Sequence, residues 1–225
     1  MIKPYFETKL GKLYHGDCLE IMPELEPVDL VLTDPPYGLN SKMNGGSWGI
    51  AYRHGDMLKW DYVIKQKDFD TVRMSGKIAI IWGANNYIVP PSRCWLLWQK
   101  PFCPTLSDIE MAWTNIDAPA KVYKSNRISK KGDSQHPTEK PIGLMIYCIT
   151  FSKTTGTVLD QFLGSGTTAI ACERLNRKWI GIEIEEKYCE IAAKRIEENL
   201  TVMERIERSE KGITKKQGYY FKNNL

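Results

Sequence analysis

Two short segments carry residues whose types and spacing fit chemistry on a bound ligand. The first is Asp34-Pro35-Pro36-Tyr37, which directly follows the apolar segment 28–33. The carboxylate can accept a hydrogen bond, the fixed φ angles of the prolines make the turn rigid, and the tyrosine ring can stack on a flat aromatic substrate. The segment predicts a rigid corner at the end of a buried strand, with an ordinary strand and turn as the alternative.

The second segment, residues 157–184, has the pattern strand, glycine-rich turn, helix and strand. The turn has the sequence Asp160-x-Phe162-x-Gly164-Ser165-Gly166-Thr167. Glycines at such a turn let a ligand approach the backbone closely. Glu183 ends the following strand, where a carboxylate can accept hydrogen bonds from ribose hydroxyls.

Three other interpretations of this turn differ in their support. A P-loop requires Gly-Lys-[Ser/Thr], and no lysine follows Gly166. An NAD site remains open, because residues 164–169 match G-x-G-x-x-A and an acid follows at a suitable distance. A turn that serves only helix–sheet packing also remains open, because an isolated glycine motif has low specificity.

Strands and helices must alternate to place these segments, and most of the chain has this pattern. We predict strands near 12–15, 28–33, 76–83, 156–162 and 178–184, and helices near 62–74, 142–152, 166–176 and 185–200. Apolar segments at 93–100 and 108–114 predict an antiparallel hairpin near one edge. The alternation favours a doubly wound, mostly parallel α/β sheet, and residues 38–61 are expected to form a long loop.

The composition is that of one α/β domain. The chain has 225 residues, 42% of them hydrophobic, and a formal net charge of +4, which permits an anionic partner without requiring one. Its six cysteines include no C-x-x-C pair, which fits a reducing compartment and indicates neither a zinc cluster nor a disulfide framework. With no signal-peptide pattern or membrane-length apolar run, we predict a cytoplasmic protein without a metal site.

Together the two segments resemble motifs of the S-adenosylmethionine-dependent DNA amino-methyltransferases. Residues 136–141, His-Pro-Thr-Glu-Lys-Pro, and Gly16-Asp17 resemble two further motifs of that family. The target motif precedes the cofactor motif, which matches the permuted beta class. The resemblance covers about residues 12–200 and implies a Rossmann-like class I methyltransferase fold, with a seven-stranded, mostly parallel sheet that contains one antiparallel strand.

The resemblance also implies a division of this single domain and a set of cofactor-binding residues. The parts are a catalytic half at about 12–115, a short basic recognition segment at 116–135, a cofactor half at 136–200 and a charged tail at 201–225. The implied cofactor residues are Asp17, Asp34, His136, Thr138, Lys140, Asp160, Phe162, Gly164, Ser165, Gly166, Thr167 and Glu183.

Individual roles follow from the family pattern. The turn at 162–167 would line the methionine and sulfonium region, Glu183 would bind the ribose, and Asp17 would accept from the adenine amino group of the cofactor. His136, Thr138 and Lys140 would close the methionine end. Structural alternatives stay open: Glu183 could cap the next helix, and Asp17 and His136 could be ordinary turn residues.

The corner at residues 34–37 fits methylation of an exocyclic base amine. The lone pair of such an amine is delocalised into the ring, and two acceptors, the Asp34 carboxylate and the Pro35 carbonyl, would localise it during attack. Within the family, Asp as the first motif residue favours adenine N6, while cytosine N4 stays open. A C5-cytosine enzyme would need Pro-Cys, and this chain has only the reverse, Cys103-Pro104.

Double-stranded DNA is the predicted partner, with the target base flipped out of the stack. Aromatic and basic residues of the 38–61 loop could cover that base, and a basic stretch at 121–131 could contact phosphates. The candidate DNA-binding residues are Trp48, Tyr52, Arg53, Lys121, Lys124, Arg127, Lys130 and Lys131. The alternatives are a loop with incidental aromatics and a solvated charged loop.

Other functions compatible with the sequence are an RNA, nucleotide or protein-glutamine methyltransferase, a non-catalytic nucleic-acid-binding module and an NAD-dependent oxidoreductase. The oxidoreductase alternative leaves the Asp34 corner without a function. The recognition segment is short, which suggests a short DNA site or weak specificity. A homodimer is compatible with the sequence.

Overall fold

The computed structural model describes residues 2–36, 63–100, 108–124 and 140–202. The strands are β1 (Phe6–Glu7), β2 (Gly11–His15), β3 (Val28–Thr33), β4 (Gly76–Trp82), β5 (Trp95–Gln99), β6 (Ile109–Thr114), β7 (Lys121–Lys124), β8 (Val158–Asp160) and β9 (Trp179–Glu183). The α-helices are α1 (Cys18–Ile21), α2 (Gln66–Met74), α3 (Ile142–Ser152), α4 (Thr167–Arg174) and α5 (186–202). Short 3-10 turns follow α1 at Met22–Glu24 and β4 at Ala84–Asn86.

The nine strands found in the described residues join one sheet in the order β1-β2-β9-β8-β3-β4-β6-β5-β7. The five strands from β2 to β4 in this order run parallel to one another, and β6 runs antiparallel to both of its neighbours, β4 and β5. The strands from β2 to β5 form the expected seven-stranded core with one antiparallel strand, so the predicted fold class is confirmed.

Two edge strands were not predicted. β1 has two residues and pairs antiparallel with β2, and β7 pairs parallel with β5 at the other edge. Both β7 lysines are exposed, and Val122 is about half exposed. β7 has no local sequence signal, because apolar periodicity is the main signal for a strand and an exposed edge strand lacks it. Among the described residues, these two short strands extend the predicted seven-stranded sheet at its edges.

Helices cover both faces of the sheet and create two hydrophobic clusters. On one face, Leu30, Leu32 and Ile80 pack with residues of α3, α4 and α5. On the other face, Val31 and Ile81 pack with residues of α1 and α2. Successive strand side chains point to opposite faces, so the central strands are apolar on both sides, as their continuous apolar runs predicted.

The end of β3 agrees with its sequence. The strand stops at Thr33, because Pro35 and Pro36 have no N–H group to donate to a neighbouring strand.

Among the described residues, no helix combines the length and apolar character needed to cross a bilayer.

Candidate active site

Four acidic residues stand along one edge of the sheet, each at or just after the end of a strand. Asp17 follows β2, Glu183 ends β9, Asp160 ends β8 and Asp34 follows β3. These four strands are consecutive neighbours and all run parallel. In open α/β sheets, ligands bind at this carboxyl edge. The proline corner and the glycine-rich turn therefore share one edge, on the adjacent strands β3 and β8.

The proline corner is held from the side of β4. The Tyr87 hydroxyl donates a hydrogen bond to the Pro36 carbonyl. The Tyr87 ring stacks on Phe69 of α2, with ring centroids 4.1 Å apart and an interplanar angle of 10°. Tyr87 follows the short turn after β4, so a neighbouring strand and a helix both restrain the corner.

The Asp34 carboxylate forms an ion pair with Lys140, which contacts its Oδ2 atom. Lys140 is only 6% exposed, and its ammonium group also lies 3.3 Å from Oε2 of Glu110 on β6. The other oxygen of Glu110, Oε1, pairs with Lys100. Burial raises the pKa of Glu110, but the charges of Lys140 and Lys100 outweigh burial and hold this pKa below its usual value.

Asp160 links the proline corner to the glycine-rich turn. Its Oδ1 atom accepts hydrogen bonds from the Thr33 hydroxyl at 2.7 Å and from the Phe162 N–H at 3.1 Å. The carboxylate is 5% exposed. Burial raises its pKa to about 6, hydrogen bonds from Thr168 and Thr33 oppose this increase, and the nearby charge of Asp34 adds to it. The Asp160 carboxyl group therefore joins β3, β8 and the glycine-rich turn through hydrogen bonds.

The two glycines of the turn serve different needs. Both have left-handed backbone conformations, with φ of +54° at Gly164 and +86° at Gly166. A Cβ atom at Gly166 would lie 3.1 Å from the Cβ of Ala192 in α5, so helix packing also requires glycine there. A Cβ atom at Gly164 would meet nothing within 4 Å. Gly164 therefore has open space beside its backbone, where a ligand could approach.

Helix α5 also supports the turn through a side chain. Arg195 donates hydrogen bonds to the backbone carbonyl and hydroxyl of Ser165, at 2.5 and 2.6 Å. Local residue patterns predict α5 but not this contact, because the two residues are 30 positions apart. Thr167 begins α4 directly after the turn and is buried.

Glu183 and Asp17 both have structural partners at the edge. Glu183 accepts from the N–H groups of Gly164 at 2.7 Å and Glu185 at 2.9 Å. Burial raises the pKa of Glu183, and these backbone hydrogen bonds oppose the increase. Asp17 accepts from the Leu19 N–H at 2.8 Å and caps α1. A carboxylate oxygen accepts two hydrogen bonds, so these contacts leave acceptor capacity on Glu183 for hydroxyl groups.

The structure brings together the described members of the expected site. At the carboxyl edge lie Asp17, Asp34, Pro35, Pro36, Lys140, Asp160, Phe162, Gly164, Ser165, Gly166, Thr167 and Glu183. Outside the described residues lie Tyr37, Trp48, Tyr52, Arg53, Arg127, Lys130, Lys131, His136 and Thr138. Lys140 contacts Asp34, whereas its expected place was the methionine end of the cofactor.

Lys121 and Lys124 lie on β7, away from the central strands. β7 runs parallel to β5, which points in the same direction as β3 and β4. Lys124 therefore lies at the end of β7 that faces the carboxyl edge, next to Gln99. Three supporting residues had no motif to mark them in the sequence: Tyr87, Glu110 and Arg195 each reach the site from a distant element.

Comparisons with known proteins show which family the chain resembles. A family model described as DNA methylase (N6_N4_Mtase) matches residues 64–194. Type II methyltransferase M2.MboI of Moraxella bovis is 28% identical over 259 residues, covering 90% of this chain and 94% of the relative. M2.DpnII of Streptococcus pneumoniae is 28% identical over 251 residues, covering 88% and 93%.

Two solved structures share the fold. The cytosine-N4-specific PvuII DNA methyltransferase superposes with a TM-score of 0.59 at 20% identity, covering 91% of this chain and 95% of that one. The M1.HpyAVI–SAM complex gives a TM-score of 0.54 at 24% identity, covering 83% and 99%.

Proposed function

The chain belongs to the DNA methylase family and is an S-adenosylmethionine-dependent DNA methyltransferase, and we propose that its target is the exocyclic amine of a flipped-out base, adenine N6 in the first place. The observation that carries this proposal is the placement of Asp34 and the glycine-rich turn at adjoining ends of β3 and β8. The Thr33–Asp160 hydrogen bond joins these two ends directly. Groups that act on a nucleophile and groups that bind a donor therefore share one edge.

Asp34 and the Pro35 carbonyl would act on the target amine. Asp34 accepts a hydrogen bond from one N–H of the amine and the Pro35 carbonyl accepts from the other, so the nitrogen lone pair localises as positive charge develops. Pro35 is buried and the carbonyl of Pro36 is held by Tyr87, so the corner does not need to reorganise during the reaction. Pre-organisation of this kind removes part of the orientation entropy from the barrier.

The glycine-rich turn fits a bound cofactor. The open space beside Gly164 and the acceptor capacity of Glu183 are the features that a nucleoside with ribose hydroxyls requires. Phe162, Ser165 and Thr167 would line the same pocket. When bound, S-adenosylmethionine supplies a methyl group bonded to a sulfonium sulfur. The neutral thioether is a good leaving group, so the mechanism requires neither a metal nor a covalent protein intermediate.

Adenine and cytosine remain the two candidate targets. Aspartate at the first position of the corner favours adenine N6 within this family. Cytosine N4 is the second candidate, because the PvuII DNA methyltransferase, which shares the fold, is cytosine-N4-specific. An NAD-dependent reaction would make no use of the Asp34 corner, and family membership favours methyl transfer over it.

DNA binding is proposed on charge and position. Lys121 and Lys124 are exposed on β7 and could contact phosphates, as could Arg127, Lys130 and Lys131. Trp48, Tyr52 and Arg53 could cover the flipped base, and Tyr37 could stack on it. The four-part division of the domain, the roles of His136 and Thr138 at the methionine end, a homodimer and a cytoplasmic location also remain proposals.

Mass spectrometry of methylated DNA tests the proposed target. The protein is incubated with methyl-labelled S-adenosylmethionine and duplexes of defined sequence, and the labelled base is then identified. We expect N6-methyladenine. Labelled N4-methylcytosine would move the assignment to the second candidate, and label on neither exocyclic amine would overturn the proposal.

A further inference from the structure

A chain of four alternating charges ends at the proposed catalytic carboxylate. Lys100 pairs with Glu110, Glu110 pairs with Lys140, and Lys140 pairs with Asp34. The side chains of Asp34 and Glu110 are 27% and 26% exposed, while that of Lys140 is only 6% exposed. An ammonium group this deeply buried is costly unless it is paired, so the two carboxylates determine where Lys140 lies.

The position of Lys140 is fixed from three strands. Asp34 follows β3, Glu110 belongs to β6, and β4 lies between these strands in the sheet. The Lys140 ammonium also lies 5.6 Å from the ring centroid of Trp82, at the end of β4. Pro141, the N-cap residue of α3, directly follows Lys140, so the backbone of this lysine is anchored by a core helix. Lys140 therefore has little freedom to turn toward another ligand.

We propose that Lys140, held by Glu110, is a positioning residue that orients the Asp34 carboxylate and keeps it ionised. This inference rests on the proposed function, because it assumes that Asp34 accepts a hydrogen bond from the target amine. A charge-assisted contact to Oδ2 fixes the plane of the carboxylate. It also favours the ionised form, the form that can accept from the amine.

The surroundings of Asp34 explain why a cation is needed there. Lys140 and Asp160 are charged groups close to Asp34, and Asp160 carries a like charge at the adjoining strand end. Two nearby carboxylates disfavour each other's ionisation. Lys140 offsets this repulsion, and Glu110 and Lys100 continue the alternation of charge away from the site.

This role differs from the one implied by the family resemblance. A lysine at the methionine end would act on cofactor affinity. A lysine that positions Asp34 would act on the rate of methyl transfer and on its pH dependence, with little effect on cofactor affinity.

The test compares Lys140→Gln, Lys140→Arg and Glu110→Gln with the wild type. Methyl-transfer rate constants are measured from pH 5 to pH 9, and the dissociation constant of S-adenosylmethionine is measured by calorimetry. Lys140→Gln should lower the maximal rate at least tenfold and move the acid limb of the pH profile upward by about 1–2 pH units, because the carboxylate loses its cation. Lys140→Arg should restore the position of the limb.

Glu110→Gln supplies a signature of opposite sign. It removes a negative charge from the network, so the acid limb should move to lower pH while the rate falls. Asp117→Asn is the matched control, since Asp117 pairs with Arg93 in an exposed ion pair away from the carboxyl edge; its profile should equal that of the wild type. Cofactor affinity should stay within twofold in all variants.

A carboxyl titration separates this inference from the proposed function. The titration midpoint of the Asp34 carboxyl, followed by carbon-13 NMR in the free protein, should move upward in Lys140→Gln without any turnover. If that shift occurs but the wild type methylates no DNA base, the proposed function fails and the charge network stands. If the wild type methylates DNA while the midpoint and acid limb stay fixed and cofactor affinity drops instead, Lys140 is a cofactor residue and the inference is wrong.

Discussion

At the scale of single residues, the buried carboxyl of Asp160 shows how the site depends on pH. Burial raises its pKa to about 6 in the folded chain, whereas an unfolded aspartate titrates near 4. Between these values the folded state binds more protons than the unfolded state, so this group's contribution to stability is present at low pH and is lost as pH rises to about 6.

Asp160→Asn should remove this pH dependence. An asparagine Oδ1 can still accept from Thr33 and Phe162 but cannot ionise. Urea unfolding at pH 4.5 and pH 7 gives the free energy of unfolding for both proteins. On going from pH 4.5 to pH 7, the wild type should lose on the order of 1–3 kcal/mol more than the variant. Equal losses of stability in the two proteins would mean that burial does not raise the pKa of Asp160.

Substitutions at Gly164 and Gly166 distinguish an effect on ligand binding from an effect on folding. Gly164→Ala adds a methyl group where nothing lies within 4 Å, and the left-handed backbone makes it cost about 1–2 kcal/mol of stability. Because the methyl group enters the space proposed for the cofactor, the dissociation constant of S-adenosylmethionine should rise at least tenfold.

Gly166→Ala is the comparison for that experiment. Its Cβ would press on Ala192 of α5, so the melting temperature should fall further than in Gly164→Ala. Unchanged cofactor affinity in Gly164→Ala would place the ligand elsewhere.

At the scale of elements, the short turn after β4 braces the proline corner through Tyr87. Tyr87→Phe removes the hydrogen bond to the Pro36 carbonyl and keeps the stack on Phe69. Loss of one hydrogen bond costs about 1 kcal/mol of stability, but looser geometry at the corner should lower the methyl-transfer rate about tenfold. Cofactor affinity should stay the same.

Tyr5→Phe serves as the control, because Tyr5 is exposed beside β1 at the far edge of the sheet. A Tyr87→Phe variant that is as fast as this control would show that the brace does not matter for the reaction.

Elements with strong apolar patterns were predictable, and contacts between distant elements were not. The end of β3 at Thr33, the glycine turn before α4 and helix α5 all followed from local residue types. β7 was missed because it is polar and exposed. Lys140 was found by its motif but assigned to the cofactor, and its pairing with Asp34 depends on the sheet order that brings β3, β4 and β6 together.

At the scale of the whole molecule, the net charge of +4 is modest, so binding to DNA requires that basic side chains cluster on one surface. Lys121 and Lys124 stand on an edge strand whose end faces the carboxyl edge. Replacing both with Ala should weaken binding to DNA and reduce the slope of log K against log salt by about 2, since each phosphate contact contributes about 0.9.

Lys178→Ala provides the control for the salt experiment. Lys178 is exposed just before β9, at the amino ends of the parallel strands and so opposite the carboxyl edge, and its removal should leave the slope unchanged. If the double variant keeps the wild-type slope, β7 is not part of the DNA interface.

The central claim is that the Asp34 carboxylate activates the amine at an edge shared with the cofactor turn. Asp34→Asn and Asp34→Ala test it by single-turnover methyl transfer, with the cofactor dissociation constant measured on the same samples. The account predicts that transfer falls at least a thousandfold, on the order of 4 kcal/mol of barrier, while cofactor affinity changes little. Methyl transfer at the wild-type rate in either variant would contradict it.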